Sequence, residues 1–338
     1  MTMAWYEVKG NETDTVFSSR IRFARNLEGY GFGAHLSDEG AREIIRRVKD
    51  ALGKDFTVTD IEKLSPVEVE ALVEQHLISR DLAEASGPRA LLRNDNKSVS
   101  VMTPEEDHIR LQCILPGLAL RDAYRFACEE DDRLDAALPI AYDEKLGYLT
   151  HCPTNLGTGL RASVMLFLPA LTEQGAIPSL AHQLSKIGLT MRGLYGEGSK
   201  ASGCLYQVSN QVTLGQTEED ILRKLEEAVQ SIVKRERELR KAPTGEAAER
   251  RADRIKRTEG IARYATLCSS EEFFQIFTDL KLGVALGLIP SLSHETLHAL
   301  LIRALPATLT TSAAKAPKSG IERDRLRAEM IRKIWEVS

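Results

Sequence analysis

Between Gly147 and Met165 the chain reads GYLTHCPTNLGTGLRASVM, and no other passage constrains it as much. A cysteine, a polar turn, two glycines and an arginine fall within what reads as a short strand-to-helix passage. Three further strings carry the same chemistry: SSRIR at Ser18–Arg22, EEDHIR at Glu105–Arg110 and RGLYGEG at Arg192–Gly198. Together the strings supply five arginines, Arg20, Arg22, Arg110, Arg161 and Arg192, and two glutamates of interest, Glu106 and Glu197. Many guanidiniums with few acids suit a polyphosphate, because the planar fork of arginine pairs bidentately with phosphate oxygens. The carboxylates are then left for a cationic or proton-bearing acceptor.

The bulk properties are those of a soluble globular protein. At 338 residues, 43% hydrophobic and 28% charged, there is room for one large domain and a small one. A formal charge of −4 gives no general attraction to nucleic acid or to an acidic membrane. No apolar run is long enough to span a bilayer, and the N-terminus lacks the pattern of a signal peptide. The five cysteines include no CxxC and no metal-like spacing against histidine, so no protein metal site is expected. Cys113, Cys128, Cys204 and Cys268 read as small apolar residues, and the setting as a reducing cytoplasm.

Apolar periodicity predicts helices over Ser37–Ala51, Ser65–Leu77, Leu120–Asp135, Leu160–Leu171, Ser179–Ile187 and Thr217–Lys241. Strands are predicted as a pair within Ala90–Met102 and at Ile109–Leu115, Tyr148–Cys152, Leu189–Leu194 and Leu205–Thr213. The charge run Lys234–Lys241 reads as a solvated helix face. After a Pro-Thr-Gly break at Pro243 the pattern is helical throughout, over Ala247–Leu267, Ser270–Gly287, Ser293–Ala304 and Glu322–Val337. The expected fold is α+β: a catalytic domain over residues 1–242, then an all-helical domain over 243–338.

The strings CPTNLGTGLR, EEDHIR and RGLYGE, together with SSRIRFARNL and HLIS in the same order, resemble the ATP:guanido phosphotransferases, the creatine and arginine kinase superfamily. The bacterial protein arginine kinases are the nearest branch, with a terminal RDRLRA in common. The resemblance implies a phosphagen-kinase-like catalytic domain, a mainly antiparallel sheet flanked by helices. It implies Glu106 and Glu197 as the carboxylates that orient the acceptor and take its proton, with Cys152 as the reactive cysteine that assists alignment. A guanidinium has a pKa above ~12 and is a poor nucleophile without such help. Cys152 beside arginines and a helix start would favour its thiolate.

Nucleotide binding is carried over to Ser18, Ser19, Arg20, Ile21 and Arg22, to His76, to Arg110, and to Arg161, Ala162, Ser163, Val164 and Met165. It extends through Arg192, Gly193, Leu194, Tyr195, Gly196 and Glu197. Mg²⁺ would enter with ATP, held mainly by phosphates and water. Asn155, Gly157 and Gly159 shape the turn. One departure stands out: Pro104 occupies the position before EEDH where the family carries asparagine, so the Glu106 loop can be set differently.

Arg323, Asp324, Arg325, Leu326, Arg327 and Ala328 match the family's element for phosphoarginine binding and allosteric control. Arg323 and Arg327 are spaced i, i+4, so one helix face can present both to a phosphate, with Asp324 for the ligand's guanidinium. The chain reaches SSRIR by Ser18, and set beside the animal enzymes with their N-terminal domain the resemblance implies a more open site that would admit an arginine on another protein. By resemblance, partners include protein substrates with exposed arginine, a heat-shock repressor, an activator protein, a Clp-type protease and a second copy of the chain. Phe273, Phe274, Phe277, Leu280, Leu282, Leu297, Leu300 and Leu301 supply apolar stripes for that dimer. Three other readings compete: a kinase of a small free guanidine, a catalytically weak adaptor, and a dinucleotide-binding enzyme. The last rests on GxGxxA at Gly157–Ala162 and leaves the arginines unexplained. No GxxxxGK[ST] is present, which excludes a P-loop enzyme.

Overall fold

The computed structural model describes residues 4–96, 98–193 and 202–336. Its ten strands are β1 (Val16–Arg25), β2 (Thr57–Asp60), β3 (Ala90–Asn94), β4 (Val99–Thr103), β5 (Ile109–Pro116), β6 (Tyr142–Asp143), β7 (Gly147–Tyr148), β8 (Leu160–Phe167), β9 (Leu189–Gly193) and β10 (Leu205–Asn210). Eight form one sheet in the order β2-β3-β4-β5-β1-β8-β10-β9, and every neighbouring pair is antiparallel. The helices up to the Pro243 break are α1 (Asp38–Leu52), α2 (Pro66–Glu74), α3 (Arg80–Glu84), α4 (Leu120–Ala137), α5 (Pro169–Glu173), α6 (Ile177–Ser185) and α7 (Glu218–Lys241). Beyond it come α8 (Gly245–Tyr264), α9 (Ser270–Ala285), α10 (His294–Arg303), α11 (Pro306–Ser312) and α12 (Gly320–Lys333). The expected α+β class with an antiparallel sheet and a helical C-terminal region is the fold observed.

Strand alternation divides the residues between two faces. Ile21 and Phe23, Leu111 and Cys113, Leu160, Ala162 and Val164, and Val208 join a core with Ile44 and Val48 of α1, Ala123 and Ala127 of α4, and Leu222 and Val229 of α7. The intervening residues line the opposite face, which is shared between two uses. At one end Phe17, Ile114, Met165, Phe167 and Leu205 join a second core with Phe273, Phe277 and Leu280 of α9 and Leu297, Leu300 and Leu301 of α10. At the other end the same face carries arginines.

Four expectations change here. Leu160–Leu171 is not a helix: β8 runs to Phe167, because Leu160, Ala162, Val164 and Leu166 alternate with Arg161, Ser163 and Met165 in a period of two. GxGxxA therefore precedes a strand, which removes the dinucleotide reading. Gly157 and Gly159 are glycine for packing reasons, with φ of 107° and 63°; a Cβ on Gly159 would lie 2.7 Å from the Ala24 carbonyl oxygen. The aromatic and leucine stripes of α9 and α10 are consumed by the intramolecular core, so Phe273, Phe277, Leu280, Leu297, Leu300 and Leu301 are not free to form a dimer surface. The charge run on α7 is also partly internal. Arg240 is buried, donating to the Phe167 carbonyl (2.9 Å) and to Glu236 (2.8 Å), whose carboxylate in turn accepts from Ala170 N and Leu171 N at the start of α5.

Lys281 of α9 is sealed between the sheet and the helical region. Its ammonium donates to the Thr13 carbonyl at 2.7 Å and lies 2.7 Å from His298 Nε2, while the His298 ring packs at a tilt against that of Phe17, with centroids 4.3 Å apart. Burial, and then Arg240, push the Lys281 pKa down to about 7, with Asp14 and Glu295 opposing. Burial, reinforced by Lys281, also depresses His294 and His298. Between pH 7 and the usual lysine range the unfolded chain holds a proton that the folded chain has released, so stability rises with pH across that window. Thermal unfolding should show stability climbing from pH 7 to pH 9 by at most about 1.4 kcal/mol per pH unit from this group. Lys281→Met should flatten the climb, and an unchanged slope in that variant would remove Lys281 as its source.

Candidate active site

The arginines of the four strings meet because their strands lie in one sheet and their positions share a parity. On β1, Arg20 lies opposite Ser163 of β8 and Ile114 of β5; Arg22 lies opposite Arg161 and Gln112. Ala24 pairs with Arg110, and Arg192 of β9 pairs with Gln207 of β10. A cavity of about 390 Å³ over this face is lined by Arg22, Arg110, Arg161 and Arg192 together with Glu106, Asp81 and Cys152. Ser18, Arg20, His76, Ser163 and Met165 line a smaller recess with Trp5 and Gln207. Ser19, Ile21, Ala162 and Val164 point away: the Ser19 hydroxyl donates to the Gly117 carbonyl, and the other three are in the first core. Any contact they make with a nucleotide is confined to the backbone.

The electrostatics are those of a site suited to an anion. Arg22 forms no ion pair among the described residues, and its Nε is buried without a partner, as is that of Arg161. Desolvation, and then the guanidiniums of Arg20, Arg110 and Arg161, hold Arg22 well below the usual arginine range. Burial, then Arg161 and Arg110, push Arg20 down to about 10. Of these cations Arg110 is paired with acids, Glu105 and Glu106, so the face keeps an excess of positive charge that would gain most from a polyphosphate.

The two glutamates of EEDHIR have separated roles. Glu105 is buried, and its carboxylate accepts from Arg110 Nη1 at 2.7 Å and from the Ser79 hydroxyl. Glu106 is partly exposed on the cavity wall and accepts from Arg110 Nη2 at 3.1 Å. The loop is held from beneath: Asp107 Oδ1 accepts from Asn26 Nδ2 and from His151 N, both at 2.7 Å, and His108 Nδ1 accepts from Leu27 N at 3.0 Å. Asp107 therefore ties the Glu106 loop to the segment bearing Cys152. Pro104 leaves this arrangement closed, with Glu105 N donating to Asp107 O at 2.9 Å.

Cys152 begins a three-residue 3-10 turn, Pro153–Asn155, rather than an α-helix, so no helix dipole acts on its sulfur. The thiol is half-buried, 3.0 Å from Thr154 Oγ1. His76 takes a left-handed φ of 59°, its carbonyl accepting from Gln112 Nε2 at 2.8 Å. Burial, then Arg20, push its pKa down to about 4, leaving a neutral ring that can stack on a base. Helix α2, which leads into His76, is clamped from the other side. Glu74 accepts from Ala307 N at 2.9 Å and Thr308 N at 2.6 Å, at the start of α11.

Leu194, Tyr195, Gly196 and Glu197 lie outside the described residues; Gly193 lies on the cavity wall. The RDRLRA residues are far from this face in role. Arg327 is buried, its guanidinium donating to the Ala304 and Cys268 carbonyls and pairing with Asp324 at 2.8 Å. Arg323 and Arg325 are exposed, Leu326 half-buried and Ala328 in the second core. The expected pairing of Arg323 and Arg327 on one free face is corrected: Arg327 turns inward because the carbonyls there need a donor. Sequence reasoning also missed Asp81, Gln112, Gln207 and Ser209. The last three could have been found by following strand parity from the arginines.

A guanidinium-rich sheet face with a carboxylate at its edge is the equipment of phosphoryl transfer. The family model for the ATP:guanido phosphotransferase C-terminal catalytic domain matches residues 41–239, and that for the protein-arginine kinase McsB C-terminal domain matches 248–337. The protein-arginine kinase of Moorella thermoacetica is 40% identical over 98% of this chain and 96% of that protein. That of Desulforamulus reducens is 41% identical over 97% and 94%. Among solved structures, the substrate-free duplicated taurocyamine kinase from Schistosoma mansoni is 27% identical with a TM-score of 0.60, covering 79% of this chain and 41% of that longer one. The chain belongs to the ATP:guanido phosphotransferase family and, within it, to the protein-arginine kinases. It is therefore a kinase, with ATP as its nucleotide substrate. No described helix is long and apolar enough to cross a membrane.

Proposed function

We propose that the chain transfers the γ-phosphoryl group of ATP to a guanidinium nitrogen of arginine side chains in proteins. The observation that carries this is the cavity that Glu106, held by Arg110, shares with Arg22, Arg161 and Arg192. The likeness to named protein-arginine kinases over nearly the whole chain supports the acceptor. The triphosphate lies along Arg20, Arg22, Arg110, Arg161 and Arg192, with the base near His76. The acceptor nitrogen attacks the γ-phosphorus in line, the bond to the β-γ bridging oxygen breaks, and ADP leaves. Glu106, aided by Glu197, holds the guanidinium edge and accepts the proton, and Cys152 assists alignment. The guanidinium wall fits the phosphates rather than a metal ion, so Mg²⁺ would be carried in by the nucleotide and would supply charge neutralisation there.

Residues 1–242 act as the catalytic unit and 243–338 as a helical unit for dimerisation and phosphoarginine binding. Exposed Ile261, Tyr264, Leu267 and Ile321 are the apolar residues available for a dimer. For phosphoarginine, Arg323 and Arg325 supply the exposed guanidiniums, with Arg327 bracing the helix. In a reducing cytoplasm the product would mark proteins for a Clp-type protease and relieve heat-shock repression, with an activator protein as a further partner. Incubation with labelled ATP should place an acid-labile phosphate on arginines of an unfolded protein. Labelling of free arginine alone would make the chain a small-guanidine kinase, and no labelling with ATP bound would make it an adaptor.

A further inference from the structure

Asp81 sits on the wall of the arginine-lined cavity that Glu106 also lines, two residues beyond Ser79. Its carboxylate is exposed and makes no ion pair or hydrogen bond among the described residues, although guanidiniums line the same cavity. Glu105, the neighbouring acid, is consumed by Arg110 and Ser79. Asp81 is also held in register with the site. Ser79 caps α3 by accepting from Leu82 N at 3.0 Å, while its hydroxyl donates to Glu105. Glu105 grips Arg110 Nη1, whose Nη2 holds Glu106. Helix α3 is thereby fastened to the loop that carries Glu106. A negative charge fixed there and left unpaired affects whatever enters beside Glu106, and the phosphates have the arginine face to themselves.

We propose that Asp81 is a specificity residue of the acceptor site, excluding arginine that carries its own α-carboxylate and admitting arginine within a polypeptide. The inference rests on the proposed protein-arginine kinase activity. In an extended arginine the α-carbon lies roughly 6 Å from the guanidinium carbon. An acceptor gripped by Glu106 at its guanidinium end therefore brings its backbone end within range of a carboxylate on the rim. A free α-carboxylate meets like charge there, and a peptide carbonyl does not. Between two carboxylates a few ångströms apart near a protein surface the repulsion corresponds to about tenfold or more in acceptor preference.

The test compares N-acetyl-arginine with N-acetyl-argininamide, which differ only in the carboxylate, in the wild type and in Asp81→Asn and Asp81→Glu. The wild type should favour the amide by about tenfold in kcat/KM. Asp81→Asn should shrink that ratio towards one through a lower KM for N-acetyl-arginine, and Asp81→Glu should retain it. The KM for ATP should not move in either variant. Equilibrium binding of the two acceptors in the presence of ADP reads the same preference without turnover. An unchanged ratio in Asp81→Asn, or an equal loss for both acceptors, overturns the assignment. A wild type that binds the acceptors with the expected preference but phosphorylates no arginine overturns the activity instead and leaves the role of Asp81 standing.

Discussion

Glu106→Gln is expected to reduce phosphoryl transfer by about a thousandfold or more while ATP still binds. The amide keeps the size of the side chain and can still accept from Arg110 Nη2, now 3.1 Å away, so the loop has no reason to collapse. What it loses is the charge that orients a cationic acceptor and the basicity that takes its proton. The buried Glu105, the Asp107 contacts to Asn26 and His151, and the His108 contact to Leu27 remain to hold the local fold. Rapid-mixing turnover with parallel nucleotide titration separates the two effects. Turnover within tenfold of wild type would remove Glu106 as the base.

Arg22→Met is expected to lower activity by about a hundredfold to a thousandfold and, in the same protein, to raise stability by about 1 kcal/mol. The two signs share one cause. Arg22 is held among Arg20, Arg110 and Arg161 without an ion pair among the described residues, and desolvation already disfavours its charge. Removing it relieves repulsion and leaves no carboxylate orphaned. The triphosphate loses a central counter-charge. Thermal melting with and without ATP checks both: the variant should melt higher alone and gain less from the nucleotide. A lower melting temperature for the free variant would show that Arg22 supports the fold rather than burdening it.

Much of this site was legible from the sequence, and the failures are instructive. IRLQC and LRASVM alternate polar with apolar residues, so Arg110 and Arg161 were bound to share a face with Gln112 and Ser163 once both segments were strands. For LRASVM the alternation was present, but the apolar pattern of Leu160–Leu171 also fits a helix. Periodicity over so few residues does not separate the two, and the sheet partners decided. The stripes on α9 and α10 were read correctly as apolar, but a stripe does not name its partner. The exposed end of the sheet, where Phe17, Met165 and Phe167 project, claimed them. Asp81 carried no signal, because an acidic residue in the first turn of a helix is ordinary.

The sequence alone determined which residue types could be brought to bear: five arginines and the glutamates in ordered strings, on segments whose period of two fixes their facing. It also determined the family, because those strings recur in the same order. Only the tertiary structure decided which of two adjacent glutamates faces the cavity, and that Arg327 and Arg240 turn inward while Arg22 has no ion pair among the described residues. The reason is physical. Strand parity is a local property of the backbone, whereas the partner of a charge depends on which distant carbonyl or carboxylate the packed chain brings within about 3 Å.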